Sequence, residues 1–287
     1  MRQTRAEKPR VIERSRMTLA APTAVLRGVG LHSGVDATLR LLPAPCGTGR
    51  VFRDPATGQE FPACTANIID TSRCTRLGLN GFEVQTVEHV LSALAGLGVE
   101  DAIIEVTGGE VPAVDGSAGP FVALLQSAGL CSQGIGADSL KLAKPIRITE
   151  GGASLMAFPA EKFSAAIVLD YPHVEYLGTQ AAIFDEEFDD YAALIAPART
   201  FGFLSEIEAL HRRGLGLGAT RDNAVVLGEE KYETPLRFSN ELARHKMLDL
   251  IGDLALTGRP LQAAVFAVKP GHSLNTRLAS LMVSDCP

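Results

Sequence analysis

Arg244-His245-Lys246-Met247-Leu248-Asp249-Leu250-Ile251-Gly252-Asp253 lies within a longer run, Ser239 to Leu256, that reads as the clearest helix of the chain. Leu248, Leu250, Ile251 and Leu254 give it buried positions. His245 and Asp249 are four residues apart, so their side chains rise from one face about one turn apart, with Asp253 a further turn along. A second helix is predicted from Thr86 to Leu97, where Val87, Val90, Leu91, Leu94 and Leu97 recur at helical spacing. Thr86 is the expected N-cap, and Gly96 and Gly98 mark the stop. Glu88 and His89 then fall in its first turn. The two helices together offer three metal ligands and a spare carboxylate, the minimum set for a catalytic zinc that activates water. Each pair alone is a weak signal, because a solvated helix face shows such spacings by chance.

Outward from these helices the pattern is that of an α+β protein. From Met17 to about Val51 short alternating runs such as Ala37 to Leu42 read as strands. Ala102 to Val106 predicts another strand, followed by the Gly- and Pro-rich turn from Gly108 to Gly119 and a helix from Pro120 to about Ser127. Cys131 to Asp138 is polar, Gly-rich and aperiodic, and reads as a boundary between two halves. The second half predicts strands through Ile146, Leu155 and Ala165 to Leu169, helices at Ser205 to Arg213 and Ser239 to Leu256, a strand at Gln262 to Val268, and a last helix from about Ser273 to Val283. The expected organisation is a flexible N-terminal extension over 1–16, an N-terminal α+β domain over 17–133 and a C-terminal α+β domain over 134–287. Similar element order suggests a duplicated fold, although no residue-level repeat is visible.

Composition narrows the function. The chain has 287 residues, 46% hydrophobic and 21% charged, with a formal net charge of -6, which argues against a nucleic-acid partner. Cys46, Cys64, Cys74, Cys131 and Cys286 never fall in a C-x-x-C spacing, so neither a disulfide framework nor a zinc knuckle is indicated and a reducing cytoplasm fits best. No apolar run approaches the ~20 residues of a membrane span. Gly214-Leu215-Gly216-Leu217-Gly218 follows a helix instead of opening one after a strand, which argues against a nucleotide fingerprint.

Several stretches, in order from about residue 18 onward, resemble the UDP-3-O-(3-hydroxyacyl)-N-acetylglucosamine deacetylases, zinc enzymes of lipid A synthesis in Gram-negative bacteria. They are Gly28-Val29-Gly30-Leu31-His32-Ser33-Gly34, Thr86 to Leu94, Pro112-Ala113-Val114-Asp115-Gly116-Ser117-Ala118, Ala198-Arg199-Thr200-Phe201-Gly202-Phe203, His245 to Asp249, and Gly271-His272. The resemblance implies two similar domains, each a small, mostly antiparallel sheet packed with helices, with the helices facing each other between the sheets. It implies one zinc ion held by His89, His245 and Asp249, with Glu88 as general base. Thr200 would help stabilise the oxyanion, Lys246 would add positive charge, and His272, held protonated by Asp253, would supply electrostatic stabilisation and a proton for the leaving amine. The implied substrate is a UDP-sugar bearing an acyl chain, in the cytoplasm or peripheral to the inner membrane, with no obligate protein partner.

The substrate contacts implied are Phe201, Lys269 for the diphosphate, Cys74 near the pocket, and Leu215 with Leu217 beside an acyl-chain passage that includes an insert near 168–182. Leu215 and Leu217 read equally as ordinary core, and Cys74 equally as a small buried residue. Read singly, Lys246 is a solvated helix lysine, His272 a loop surface residue and Thr200 a cap for the helix that follows. The ordered company of the motifs outweighs those readings. Two rivals remain at this point: a zinc amidase for another N-acylated sugar, and a non-catalytic sugar-nucleotide-binding protein on the same scaffold.

Overall fold

The computed structural model describes residues 15–285, so residues 1–14 of the expected extension and Cys286 lie outside the described residues. Period-two burial builds the sheets. In Asp36–Pro43 the inward residues are Ala37, Leu39 and Leu41, and in Ala102–Thr107 they are Ala102, Ile104 and Val106. These strands form a five-stranded sheet in the order Leu26–Val29, Asp36–Pro43, Ala102–Thr107, Arg50–Arg53, Glu60–Pro62. A larger sheet runs Ile146–Glu150, Ala153–Pro159, Leu261–Val268, Ser164–Asp170, Thr179–Asp185, with Leu140–Lys141 pairing the central Leu261–Val268. Pairing is mostly antiparallel, as predicted.

Six α-helices occur among the described residues: α1 Glu88–Gly96, α2 Gly119–Ala128, α3 Tyr191–Leu194, α4 Ile207–Arg212, α5 Glu241–Leu254 and α6 His272–Asp285. Helix α5 packs against α1, α6 and the strands Ser164–Asp170 and Thr179–Asp185. Leu91 and Leu94 of α1 share one continuous apolar core with Leu39, Leu41 and Ile104 of the first sheet and with Leu248 and Leu250 of α5. Helices α1 and α5 therefore pack against each other within this core. None of the helices is long and apolar enough to cross a membrane.

Three local readings differ. Thr86 does not cap α1: it sits at φ +58 and its hydroxyl donates to Glu110 instead (2.8 Å), while Val87 occupies the cap position without a side-chain bond. The tertiary acceptor outcompetes the local cap. The aperiodic segment at 131–138 contains most of a strand, Leu130–Gly136, paired with Ser15–Leu19. Its side chains are largely exposed, so backbone pairing specifies it and no alternation marks it in sequence. Thr200 precedes the strand Phe201–Phe203, not a helix, so the capping alternative does not apply.

Candidate active site

Glycine sets how closely the two helices approach. A Cβ at Gly252 on α5 would run into the backbone of Glu88, so its absence lets the start of α1 rest on α5. This brings Glu88 and His89 over the face of α5 that carries His245, Lys246, Asp249 and Asp253. His272, the first residue of α6, closes the third side.

His89, His245 and Asp249 each point one ligand atom into a common space, all within 4.8 Å of one another. His245 Nε2 lies 3.3 Å and His89 Nε2 3.8 Å from Asp249 Oδ1, with the two imidazoles edge to face at 5.1 Å. His245 Nδ1 donates to the Ala198 carbonyl (3.1 Å), which leaves the Nε2 lone pair facing the cluster, as metal-bound histidines require. Burial holds both imidazoles below their ordinary pKa, His89 down to about 3, so both are in the neutral form that ligates. Asp249 Oδ2 accepts from Lys246 Nζ at 2.7 Å, but Asp249 Oδ1 is buried without a hydrogen-bond partner. A buried carboxylate oxygen left so is costly, and a cation among these three atoms removes the cost. The donor set fits a divalent metal such as zinc.

Around the cluster a second set of polar groups is linked by hydrogen bonds. His272 Nδ1 donates to Asp253 Oδ2 (3.0 Å), which also accepts from Asn275 Nδ2 (2.9 Å), while Asp253 Oδ1 accepts from the Thr75 hydroxyl (2.5 Å). Burial opposes the charge on His272, yet the Asp253 and Glu88 carboxylates raise it to about 9. Glu88 Oε2 accepts from the Thr75 amide (3.1 Å), and Oε1 faces His272 Nε2 at 3.8 Å. Burial pushes the Glu88 carboxyl up, with Asp253 and Asp249 adding to the shift against the opposing imidazolium. Burial likewise opposes the Lys246 ammonium, but Asp249 more than offsets it.

These groups open onto a cleft of about 820 Å³. Its lining includes Glu88, His89, Thr200, Phe201, His245, Lys246, Asp249, Lys269 and His272, residues drawn from both halves of the chain. Thr200 is fixed by its amide donating to Gly116 O (2.8 Å) and its carbonyl accepting from Val225 N (2.8 Å). The Lys246 ammonium sits 5.4 Å over the Phe201 ring. Lys269 Nζ lies 3.5 Å from Asp170. Asp253 stands behind His272, outside the lining. Cys74, Leu215 and Leu217 also lie outside it: Cys74 is buried and its thiol pushed up to about 12 by burial, and Leu217 is 52% exposed. The 215–218 loop instead presents Gly216 to the cleft.

Thr75 and Glu110 escaped sequence reasoning, and Tyr171 was covered only as part of the insert near 168–182. Thr75 holds both Glu88 and Asp253, and Tyr171 lines the cleft edge to face with Phe203 at 5.7 Å. Neither belongs to a periodic pattern or a titratable cluster, so only the folded contacts expose them.

A cleft in which two histidines and an aspartate converge beside a further carboxylate is the architecture of a metal-assisted hydrolase. The chain belongs to the UDP-3-O-acyl N-acetylglycosamine deacetylase (LpxC) family, whose model matches residues 16–284. It is 43% identical over 268 residues to the UDP-3-O-acyl-N-acetylglucosamine deacetylase of Myxococcus xanthus (strain DK1622), covering 91% of this chain and 84% of that protein. The enzyme of the same name from Saccharophagus degradans is 44% identical over 255 residues, 87% of this chain and 84% of its own. That from Anaeromyxobacter sp. (strain Fw109-5) is 43% identical over 262 residues, 90% and 85% respectively.

Proposed function

We propose that this chain hydrolyses the N-acetyl group of a UDP-3-O-acyl-N-acetylglucosamine, releasing acetate and the free amine as a step of lipid A synthesis in the cytoplasm. One observation carries the reading: Asp249 Oδ1, buried without a hydrogen-bond partner, lies among His89 Nε2 and His245 Nε2, with the buried Glu88 carboxylate facing His272 alongside. His89, His245 and Asp249 would hold a zinc ion there. Zinc bound in such a site supplies Lewis acidity, polarising a carbonyl and lowering the pKa of water.

The protein groups do the rest. Glu88, anchored through Oε2 by the Thr75 amide, has Oε1 free to take a proton from the attacking water. Lys246 and the Thr200 hydroxyl offset the charge that develops on the acetamide oxygen. His272 holds a proton at Nε2, because Nδ1 is committed to Asp253, and delivers it to the departing amine. Apolar lining at Leu204, Ile207, Leu210 and Val226 suits an acyl chain, and Phe201 with Lys269 suits the sugar and diphosphate. The experiment is acetate release from UDP-3-O-acyl-N-acetylglucosamine by the purified protein, with metal content measured in parallel. Turnover that ignores the UDP and 3-O-acyl groups points to another N-acylated sugar; no turnover by the zinc-loaded protein overturns the reading.

A further inference from the structure

Glu110 is fully buried, and among the described residues no cation pairs with it in an ion pair. Its carboxylate is satisfied by hydrogen-bond donors from two separate segments. Oε1 accepts from the His32 amide (2.9 Å) and the Thr86 hydroxyl (2.8 Å); Oε2 accepts from the Ser33 amide (2.8 Å) and Gln85 Nε2 (2.9 Å). A Cβ at Gly30 would collide with this carboxylate, so the 30–33 turn is shaped to receive it.

Each segment leads to one wall of the cleft. On one side, Thr86 stands two residues before Glu88 and adopts φ +58, a left-handed conformation that is unfavourable for a residue with a Cβ. The bond to Glu110 holds that residue there, and it sets the direction in which α1 leaves the strand Phe82–Gln85. On the other side, the 31–33 turn receives the glycine-rich loop: Leu217 N donates to His32 O (3.1 Å), Gly218 N to Leu31 O (3.1 Å) and Gly216 N to His32 Nδ1 (3.3 Å). His32 and Gly216 both line the cleft.

We infer that Glu110 is a positioning residue for the reaction, clamping the turn that aims Glu88 and His89 to the turn that seats the 215–218 loop. The inference rests on the proposed roles of Glu88 and His89. A carboxylate is needed because all four partners are donors; the amide of glutamine would turn an NH₂ group toward two of them. A displacement of about 1 Å at a reacting group costs about a hundredfold in rate, so a loosened clamp acts on kcat without touching the substrate.

The test compares wild type with Glu110→Gln, and with Glu110→Gln combined with Thr86→Gly, since glycine adopts φ +58 without help from a side chain. Expected for Glu110→Gln is a fall in kcat of about ten- to a hundredfold with KM nearly unchanged, an altered visible spectrum of the Co²⁺-substituted protein, and recovery of most of kcat in the double variant. Should Glu110→Gln fail to fold, Thr86→Ala, which removes one of the four donors, should show the same fall in kcat and the same kind of spectral change. Wild-type kcat and an unchanged Co²⁺ spectrum in folded Glu110→Gln or Thr86→Ala, with only a lower Tm, overturn the inference in favour of a purely structural carboxylate. A failure of the wild-type protein to release acetate counts against the proposed function instead, and the Co²⁺ spectrum then decides the clamp by itself.

Discussion

His245 Nε2 lies 3.3 Å from Asp249 Oδ1, one turn away on α5, and that oxygen has no hydrogen-bond donor although it is buried. A cation held between the two groups would satisfy that oxygen. His245→Ala should lose bound zinc and turnover together, read by metal analysis and acetate release on the same preparation. Full metal retention would exclude His245 as a ligand.

Glu88 touches the Thr75 amide and faces His272, but its side chain is not one of the three convergent ligand atoms. Glu88→Gln should therefore keep its zinc while kcat falls by roughly 10²- to 10⁴-fold, the usual worth of a general base. Wild-type turnover in this variant would remove Glu88 from proton transfer.

His272 reaches Asp253 through Nδ1 and keeps Nε2 toward the cleft. His272→Ala is expected to lower kcat by about 10²-fold or more with zinc content unchanged, whereas loss of metal would make it a ligand. Asp253→Asn should follow it in direction, since the Asp253 carboxylate is what favours the imidazolium.

Gly252 lies against the backbone of Glu88. Gly252→Ala should separate α1 from α5, destabilising the fold by about 1–3 kcal/mol and weakening zinc affinity, because the ligands come from both helices. Thermal unfolding with and without added zinc reads both effects. An unchanged Tm would mean that the crossing relaxes freely.

Arg199 grips Glu241 with two hydrogen bonds (2.8 and 3.1 Å), and the Arg199 and Arg237 amides add two more. Burial works against ionisation of Glu241, yet these donors hold its carboxyl below the usual range. A depressed carboxylate contributes stability that is present above its unfolded pKa of about 4.3 and is lost as pH falls through the folded value. Arg199→Met should cost about 3–5 kcal/mol near pH 7 by leaving the Glu241 charge buried without its guanidinium, with only the two backbone amides to satisfy it. Its disadvantage relative to wild type should shrink as pH falls below about 4, measured as Tm against pH. A disadvantage independent of pH would assign the loss to packing.

The α+β pattern and the residues on the two central helices were legible because helical and strand periods are local. His245 and Asp249 share a face by spacing alone, and Leu39, Leu41, Ile104 and Val106 alternate into the core. The apolar Leu215 and Leu217 suggested a lining, but of this loop's 215–218 stretch it is Gly216 that lines the cleft. Leu130–Gly136 was illegible because a strand with largely exposed side chains, held mainly by backbone pairing, shows no alternation in sequence.

By itself the sequence determined the longer helices and the faces they bury, and that His245 and Asp249 stand one turn apart, with an acidic–histidine pair on another helix; the four-residue α3 carried no such signal. Only the tertiary structure decided that the two pairs meet, through a close approach that Gly252 permits, and that Asp249 Oδ1 is buried beside two imidazoles without a hydrogen-bond donor. It also decided that Thr86 bonds to Glu110 instead of capping its own helix. The physical reason is the same in each case: helical spacing acts between neighbours in the chain, whereas ligand convergence and the pairing of buried polar groups depend on segments brought together by the core.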